Sequence, residues 1–303
     1  MNEKRGTACI LAAGTMWGSM GLFVRGLAAD NLTSIEIVTL RSCGALLVML
    51  IGILIVNRSL LKIRLRDIWC FIGTGFISLT SFNLCYFTTI QATSMAVAAI
   101  LLYTSPIFVV IFSAICFREP ITKRKVIAMI TAFAGCVLVT GIVGPGAANL
   151  SPMGILIGIG AGVGYALYSI FGRYALDRGY SSATISLYTF FFATVSMVVI
   201  VPVSSIYNKI VSGSTGKDIM LTLGIAIVAT VLPYLLYTLG LSGVENGKAG
   251  IIASVEPVVA TILGMIVYRE ALSLMSVVGI VLVLAAVILL NQGERREKQR
   301  LRK

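Results

Sequence analysis

Two charged side chains interrupt stretches that are otherwise apolar. Glu256 lies roughly 10 Å into one such run, at about 1.5 Å per helical residue, and Pro257 follows it. Arg41 lies roughly 9 Å into another, with Glu36 one and a half turns before it. An ionised group at the centre of a helix in hydrocarbon costs about 2.5 to 3.5 kcal/mol, so each needs a reason to be there. For Glu256 two readings stand side by side. Either it binds a cationic or amino group or carries a proton, or it is a carboxyl held protonated or bonded to backbone that Pro257 has freed. For Arg41 the choice is between attracting an anionic group and snorkelling or pairing with Glu36, and the same-helix spacing favours the second.

Other reactive constellations are missing. Histidine is absent from the 303 residues, which removes the commonest metal ligand and the usual proton shuttle. The six cysteines sit in apolar runs without metal-ligand or redox spacing, and no Gly-Lys-Ser/Thr phosphate loop is present. These residues call for no catalytic set, no metal and no cofactor, and argue against an enzyme.

The elements that hold Glu256 and Arg41 follow from composition. With 58% hydrophobic and 12% charged residues, against about 25% charged in soluble domains, the chain cannot cover its surface with polar groups. Lipid is the solvent in which such helices are stable, because a helix pairs its own backbone groups. Apolar runs predict helices near Gly6 to Gly26, Ile35 to Val56, Ile68 to Thr89, Ala92 to Phe117 and Val126 to Val143. Five more follow near Met153 to Gly172, Ala183 to Val203, Ile219 to Leu241, Ala249 to Tyr268 and Leu274 to Leu290. Of the 24 Lys and Arg residues, nineteen fall in segments on one side if the amino terminus is cytoplasmic. That bias puts both termini in the cytoplasm of a multi-pass protein of the cell (plasma) membrane. The net charge of +12 therefore belongs to loops and implies no nucleic acid partner.

The chain also repeats itself. An offset of 151 residues aligns Tyr86 with Tyr237, Ala98 with Ala249, Pro106 with Pro257, Arg118 with Arg269 and Glu119 with Glu270. An offset of 148 aligns Trp17 with Tyr165, Phe23 with Phe171 and Arg25 with Arg173. Five helices per copy is an odd number, so the second copy crosses the membrane upside down. The expected architecture is an all-α integral membrane protein of ten transmembrane helices, arranged as two inverted five-helix repeats at 1–146 and 147–292, with a basic cytoplasmic tail at 293–303. Inverted repeats are common among secondary transporters.

The doubled segments "AAILLYTSPIFVVIFSAICFREPIT" and "AGIIASVEPVVATILGMIVYREALS" resemble the ten-helix EamA-type branch of the drug/metabolite transporter superfamily. The resemblance implies a central cavity lined by the first, third and fourth helices of the first half and by helices six, eight and nine. On those helices lie Trp17, Asn83, Tyr86, Tyr103, Tyr165, Tyr168, Tyr234 and Tyr237. With Glu256 they are the candidate substrate contacts, since an amphipathic ring grips an organic solute by its face and orients it by its polar tip. Trp and Tyr are also routine interfacial anchors. Gly14 and Gly18, with Gly158 and Gly162, are spaced for close helix approach, and Pro106 and Pro257 let their helices bend. The repeated Arg-Glu pairs end helices at the water boundary, where anchoring and loop contacts are the expected roles. The expected function is secondary active transport of a small organic metabolite, amino acid-like or otherwise neutral or weakly charged, by alternating access. A channel-like pore or a non-transporting membrane protein is the alternative. The implied partners are a small-molecule substrate, the lipid bilayer and, through Glu256, protons; oligomeric state is left open.

Overall fold

The structure, a computed structural model, describes residues 1–29, 31–140, 151–201, 204, 206, 208–209 and 215–300. No strand occurs among the described residues, and the chain folds as a succession of helices. These are α1 (Glu3–Ala28), α2 (Ser34–Val56), α3 (Leu65–Ala92), α4 (Met95–Phe117), α5 (Lys123–Val139), α6 (Pro152–Asp177), α7 (Ser182–Ile200), α8 (Gly216–Leu241), α9 (Asn246–Tyr268) and α10 (Leu274–Arg300). Eight of them are long and apolar enough to cross a membrane; α5 and the apolar part of α10, Leu274–Leu290, are shorter. The chain is a multi-pass helical membrane protein.

Helix ends differ from the apolar runs because capping residues, not hydrophobicity, start a helix. Thr122 accepts from the Lys125 amide, so α5 begins at Lys123 and not at Val126. Ser94 accepts from the Val97 amide, which moves the start of α4 from Ala92 to Met95. Helix α9 starts at Asn246, three residues before Ala249, and takes Lys248 out of the loop into its buried first turn. At the other end α6 runs on to Asp177 and α10 to Arg300, because helices continue into polar residues once they leave hydrocarbon. The expected ends at Val143 and Val203, the repeat boundary at 146/147 and the last three tail residues lie outside the described residues.

Several helices are broken in the same way in both halves. In α3 the segment Gly73–Thr80 is a π-helix, and in α8 so is Ile227–Val231. In each, a threonine hydroxyl returns to a carbonyl five residues back: Thr80 to Gly75 at 3.1 Å, Thr230 to Ile225 at 2.7 Å. Helix α4 is interrupted at Tyr103 and Thr104, and α9 at Ser254 and Val255. Three-residue turns bridge both interruptions, Thr104 donating to Leu101 and Val255 to Ile252. Pro106 and Pro257 each stand in the first turn of the helix half that resumes, where their missing amide costs nothing.

Close packing rests on glycines at a few crossings. Gly135 of α5 and Gly279 of α10 meet backbone to backbone; a Cβ on Gly135 would stand 2.7 Å from the Gly279 carbonyl oxygen, and one on Gly279 2.6 Å from that of Gly135. Nothing soft is there to yield. Gly135→Leu or Gly279→Leu is expected to cost about 1 to 3 kcal/mol through overpacking, read as a lower melting temperature of the purified protein. Gly52→Ala, whose Cβ meets nothing within 4 Å, should leave that temperature unchanged.

Candidate functional site

The interruptions of α4 and α9 face α6 and α1. A Cβ on Gly14 of α1 would stand 3.2 Å from the Ala253 carbonyl oxygen and 2.6 Å from Val255 Cγ1; one on Gly18 would stand 2.7 Å from the Glu256 carbonyl oxygen. On α6, a Cβ on Gly162 would stand 2.9 Å from the Leu101 carbonyl oxygen and 2.5 Å from Thr104 Oγ1, while one on Gly158 would crowd Leu101 and Thr89. Glycine is required at these points because a broken backbone comes against a helix with no room for a side chain between. Gly14 and Gly162 are equivalent under the 148-residue offset, and Val255 and Thr104 under the 151-residue offset. The two halves thus make the same contact crosswise, α1 on α9 and α6 on α4.

Between these contacts lies an aromatic chamber. Trp17 packs edge-on against Tyr234 (5.2 Å between ring centroids) and Tyr165 (6.2 Å), and tilted against Tyr237 (5.3 Å). Tyr168 meets Tyr234 at 5.0 Å. Ser78 and Phe82 of α3 and Ser169 of α6 join these rings around a gap of about 10 Å³. A second gap of about 20 Å³ lies against Tyr103, Ser105, Pro106, Tyr165, Ser254 and Glu256. Tyr165 borders both, so the two form one divided chamber. Either part has room for about one water molecule and none for an organic solute.

The hydroxyls divide into two sets. Tyr168 bonds Thr238 at 2.7 Å and Tyr237 bonds Ser169 at 2.8 Å, both between α6 and α8. These tyrosines hold helices together. No such bond is made by the hydroxyls of Tyr103 and Tyr234 or by the Trp17 indole N–H among the described residues. The Tyr165 hydroxyl has the Glu256 carboxyl as its polar neighbour.

Arg41 joins this group. It is 4% exposed, and among the described residues it makes no ion pair with Glu36, contrary to the same-helix expectation. Glu36 instead closes a capping box with Thr33 and pairs with Lys209 at 2.8 Å. The Arg41 guanidinium donates to Met20 Sδ at 3.1 Å and leaves its Nε unpartnered. It is close enough to Tyr234, Glu256 and Tyr165 to act on each electrostatically, yet forms no ion pair with Glu256. Spacing along one helix shows only neighbours on that helix, so the approach of Arg41 to the chamber had no signal in the sequence. Ser78, Phe82, Ser105, Ser169 and Ser254 had no signal either, apart from the Ser105–Glu256 equivalence.

Two candidates stand apart. The Asn83 amide donates to its own helix, to Leu79 O at 2.6 Å, and borders neither gap. Tyr86 meets Phe87 edge-on and borders neither gap, although Glu256 is near enough to act on it. No cluster of His, Cys, Asp or Glu able to hold a metal occurs among the described residues.

A buried, aromatic, charge-bearing chamber at the junction of broken helices is the arrangement of a membrane transporter. The chain belongs to the EamA-like transporter family, whose model matches residues 4–141 and 152–292. It is 26% identical over 295 residues to an uncharacterized transporter of Archaeoglobus fulgidus, with 94% of this chain and 96% of that one covered. It is also 25% identical over 226 residues to the threonine/homoserine exporter RhtA of Salmonella typhimurium, covering 74% and 71% of the two chains. A solved structure shares the fold, with a TM-score of 0.79 at 17% identity over 98% of this chain and 99% of that one.

Because the two sets of hydroxyls do different work, their removal should separate. Tyr168→Phe and Tyr237→Phe each remove one buried hydrogen bond, worth about 0.5 to 1.5 kcal/mol net, and should lower the melting temperature. Tyr234→Phe and Tyr103→Phe remove hydroxyls with no protein partner and should leave it in place.

Proposed function

We propose that the protein is a secondary carrier that moves a small zwitterionic, amino acid-like metabolite by alternating access. In this reading ten helices cross the cell (plasma) membrane as two inverted five-helix repeats, with both termini cytoplasmic. The observation that carries it is that Glu256 borders the aromatic chamber and the buried Arg41 is near enough to act on Glu256, Tyr165 and Tyr234, with no ion pair between the two charges. Opposite charges left apart in a low-dielectric site attract groups of complementary sign, here an ammonium at Glu256 and a carboxylate at Arg41. The rings of Trp17, Tyr165 and Tyr234 would take the carbon skeleton between them.

Two further points support this reading. A chamber with room for about one water molecule binds a solute only after one side opens, which is what a carrier does and a standing pore does not. The name of the relative RhtA, a threonine/homoserine exporter, belongs to the same substrate chemistry. Glu256 is in addition the group through which a proton would couple to transport.

Purified protein in liposomes, loaded with one amino acid and presented with a labelled one, should show saturable counterflow; linear flux without counterflow would mean a pore. With Trp69 replaced by Phe, Trp17 is the only tryptophan left, and its emission should change on titration with the transported solute. Arg41→Gln should weaken apparent affinity about tenfold or more for solutes with a carboxylate and leave their amide derivatives alone, from the loss of a charge-assisted contact of about 1.5 to 3 kcal/mol. Glu256→Gln should abolish any dependence of uptake on a pH gradient. Unaltered pH dependence in that variant would remove the proton from the mechanism.

A further inference from the structure

The repeated Arg-Glu pairs occupy the same backbone position but not the same surroundings. Arg118 and Arg269 close α4 and α9 in the left-handed conformation, at φ 56° and 55°. For a residue with a side chain that conformation is strained, and it persists only where the surroundings hold it. In both cases the next amide turns back six residues, Glu119 to Ser113 and Glu270 to Gly264. The turn fixes where each glutamate can reach.

Glu119 reaches the start of α9. Its two carboxylate oxygens accept from the Asn246 amide at 2.8 Å and the Gly247 amide at 3.1 Å, a favourable place for a negative charge. Asn246 and Gly247 are buried. Under the 151-residue offset the matching groups for Glu270 are the Met95 and Ala96 amides at the start of α4. Those amides have no protein acceptor among the described residues, and Met95 is 69% exposed. Glu270 is instead on Arg25 at 2.6 Å. The counterpart of Arg25 is Arg173, which here bonds Asp177 and the Leu241 carbonyl, with Glu119 elsewhere. Arg173 is still near the Glu119 segment, because Phe117 packs on Tyr174 at 4.8 Å. Tyr268, the counterpart of Phe117, lies beneath the Arg25 guanidinium, whose carbon is 4.4 Å from the ring centroid.

The two pairs are at opposite ends of α1. Glu3, at its start, bonds Lys248 in the first turn of α9, while Arg25 lies near its end. At the Glu119 end the gap is closed and crossed by further ion pairs, Lys125 meeting both Glu119 and Glu245. At the other end a cavity of about 490 Å³ lies between residues 32–35, which lead into α2, and residues 84–91 of α3.

We propose that Glu119 and Glu270 are a pair of exchanging gate latches, each with two seats: the helix start of the opposite repeat, which shuts its end, and the arginine of α6 or α1, which leaves that end free to open. The structure has Glu119 on the α9 start and Glu270 on Arg25. The alternate state has Glu270 on the Met95 and Ala96 amides and Glu119 on Arg173. The extra pairs of Lys125 have no counterpart at the other end, where Ser276 replaces the lysine and Ser94 the glutamate. They bias the empty protein toward the state with the Glu119 end shut. This inference rests on the carrier reading, but its test needs no substrate and no transport.

In a background with the six cysteines replaced, single cysteines at Val244, buried at the Glu119 end, and at Thr93, beside the start of α4, report on the two ends. The full-length protein is held in nanodiscs, where both faces meet a soluble maleimide. Glu119→Gln should speed labelling at position 244 about tenfold and slow it at 93, tenfold being about 1.4 kcal/mol of equilibrium shift. Glu270→Gln should do the reverse, keeping 244 protected and 93 reactive. The double variant should return both rates toward those of the unaltered protein, which a merely loosened fold would not do. Equal acceleration at both positions in either single variant, or no response at 244 to Glu119→Gln, would overturn the proposal.

Discussion

A polypeptide in hydrocarbon has to pair every backbone amide and carbonyl within itself, and that constraint decides where this fold can be broken. The breaks at Tyr103–Thr104 and Ser254–Val255 are tolerated because three-residue turns close them and because α6 and α1 cover them with glycine. The π-helical segments of α3 and α8 obey the same rule through the hydroxyls of Thr80 and Thr230. The breaks of α4 and α9 are therefore covered by protein, and the chamber lies beside them. The candidate site lies where irregular backbone is permitted, against protein and away from lipid.

The same constraint explains what could be read from the residues alone. Apolar runs long enough to span are visible one residue at a time, so the helical membrane class and most of the helices were legible. The doubled Pro and Arg-Glu pattern was legible as a repeat because it is carried by residue type. The π-helical segments were not, since a ladder shifted by one residue has no composition of its own. Helix ends shifted wherever a cap such as Thr122 or Ser94 outweighed the apolar count. Arg41 shows the deeper limit. Its spacing from Glu36 suggested a partner on α2, but Glu36 is held by Thr33 and Lys209, and Arg41 is turned toward groups from α6, α8 and α9. Contacts of that kind belong to the tertiary fold.

Aromatic candidates met the same limit. That Trp17, Tyr165, Tyr234 and Tyr237 form one cluster could be expected only from their helices, and the division of labour among them not at all. Tyr168 and Tyr237 hold α6 to α8 by their hydroxyls, whereas Tyr234, one turn before Tyr237, makes no such bond among the described residues. One residue type on one helix therefore supplies both a strut and an open polar tip.

What the halves share and what they do not share fall into separate layers. The shared layer is backbone: the π-helical segments, the breaks of α4 and α9, the left-handed arginines and the crosswise glycine contacts recur at matched positions. Backbone features set what movements are available, and a pair of equivalent movements needs them twice. The unshared layer is side-chain charge. Glu256 stands where the first half has Ser105, and Lys125 and Glu245 where the halves opposite have Ser276 and Ser94. In the carrier we propose, charge decides what is held and which end rests closed, and neither choice is symmetrical in a chamber that takes one solute. A duplicated fold with strictly identical side chains would have two equal resting states and two equal half-sites. In the proposed carrier, departures from symmetry at Lys125 and Glu256 break the first degeneracy in gating and the second in binding, while leaving the duplicated backbone that both depend on intact.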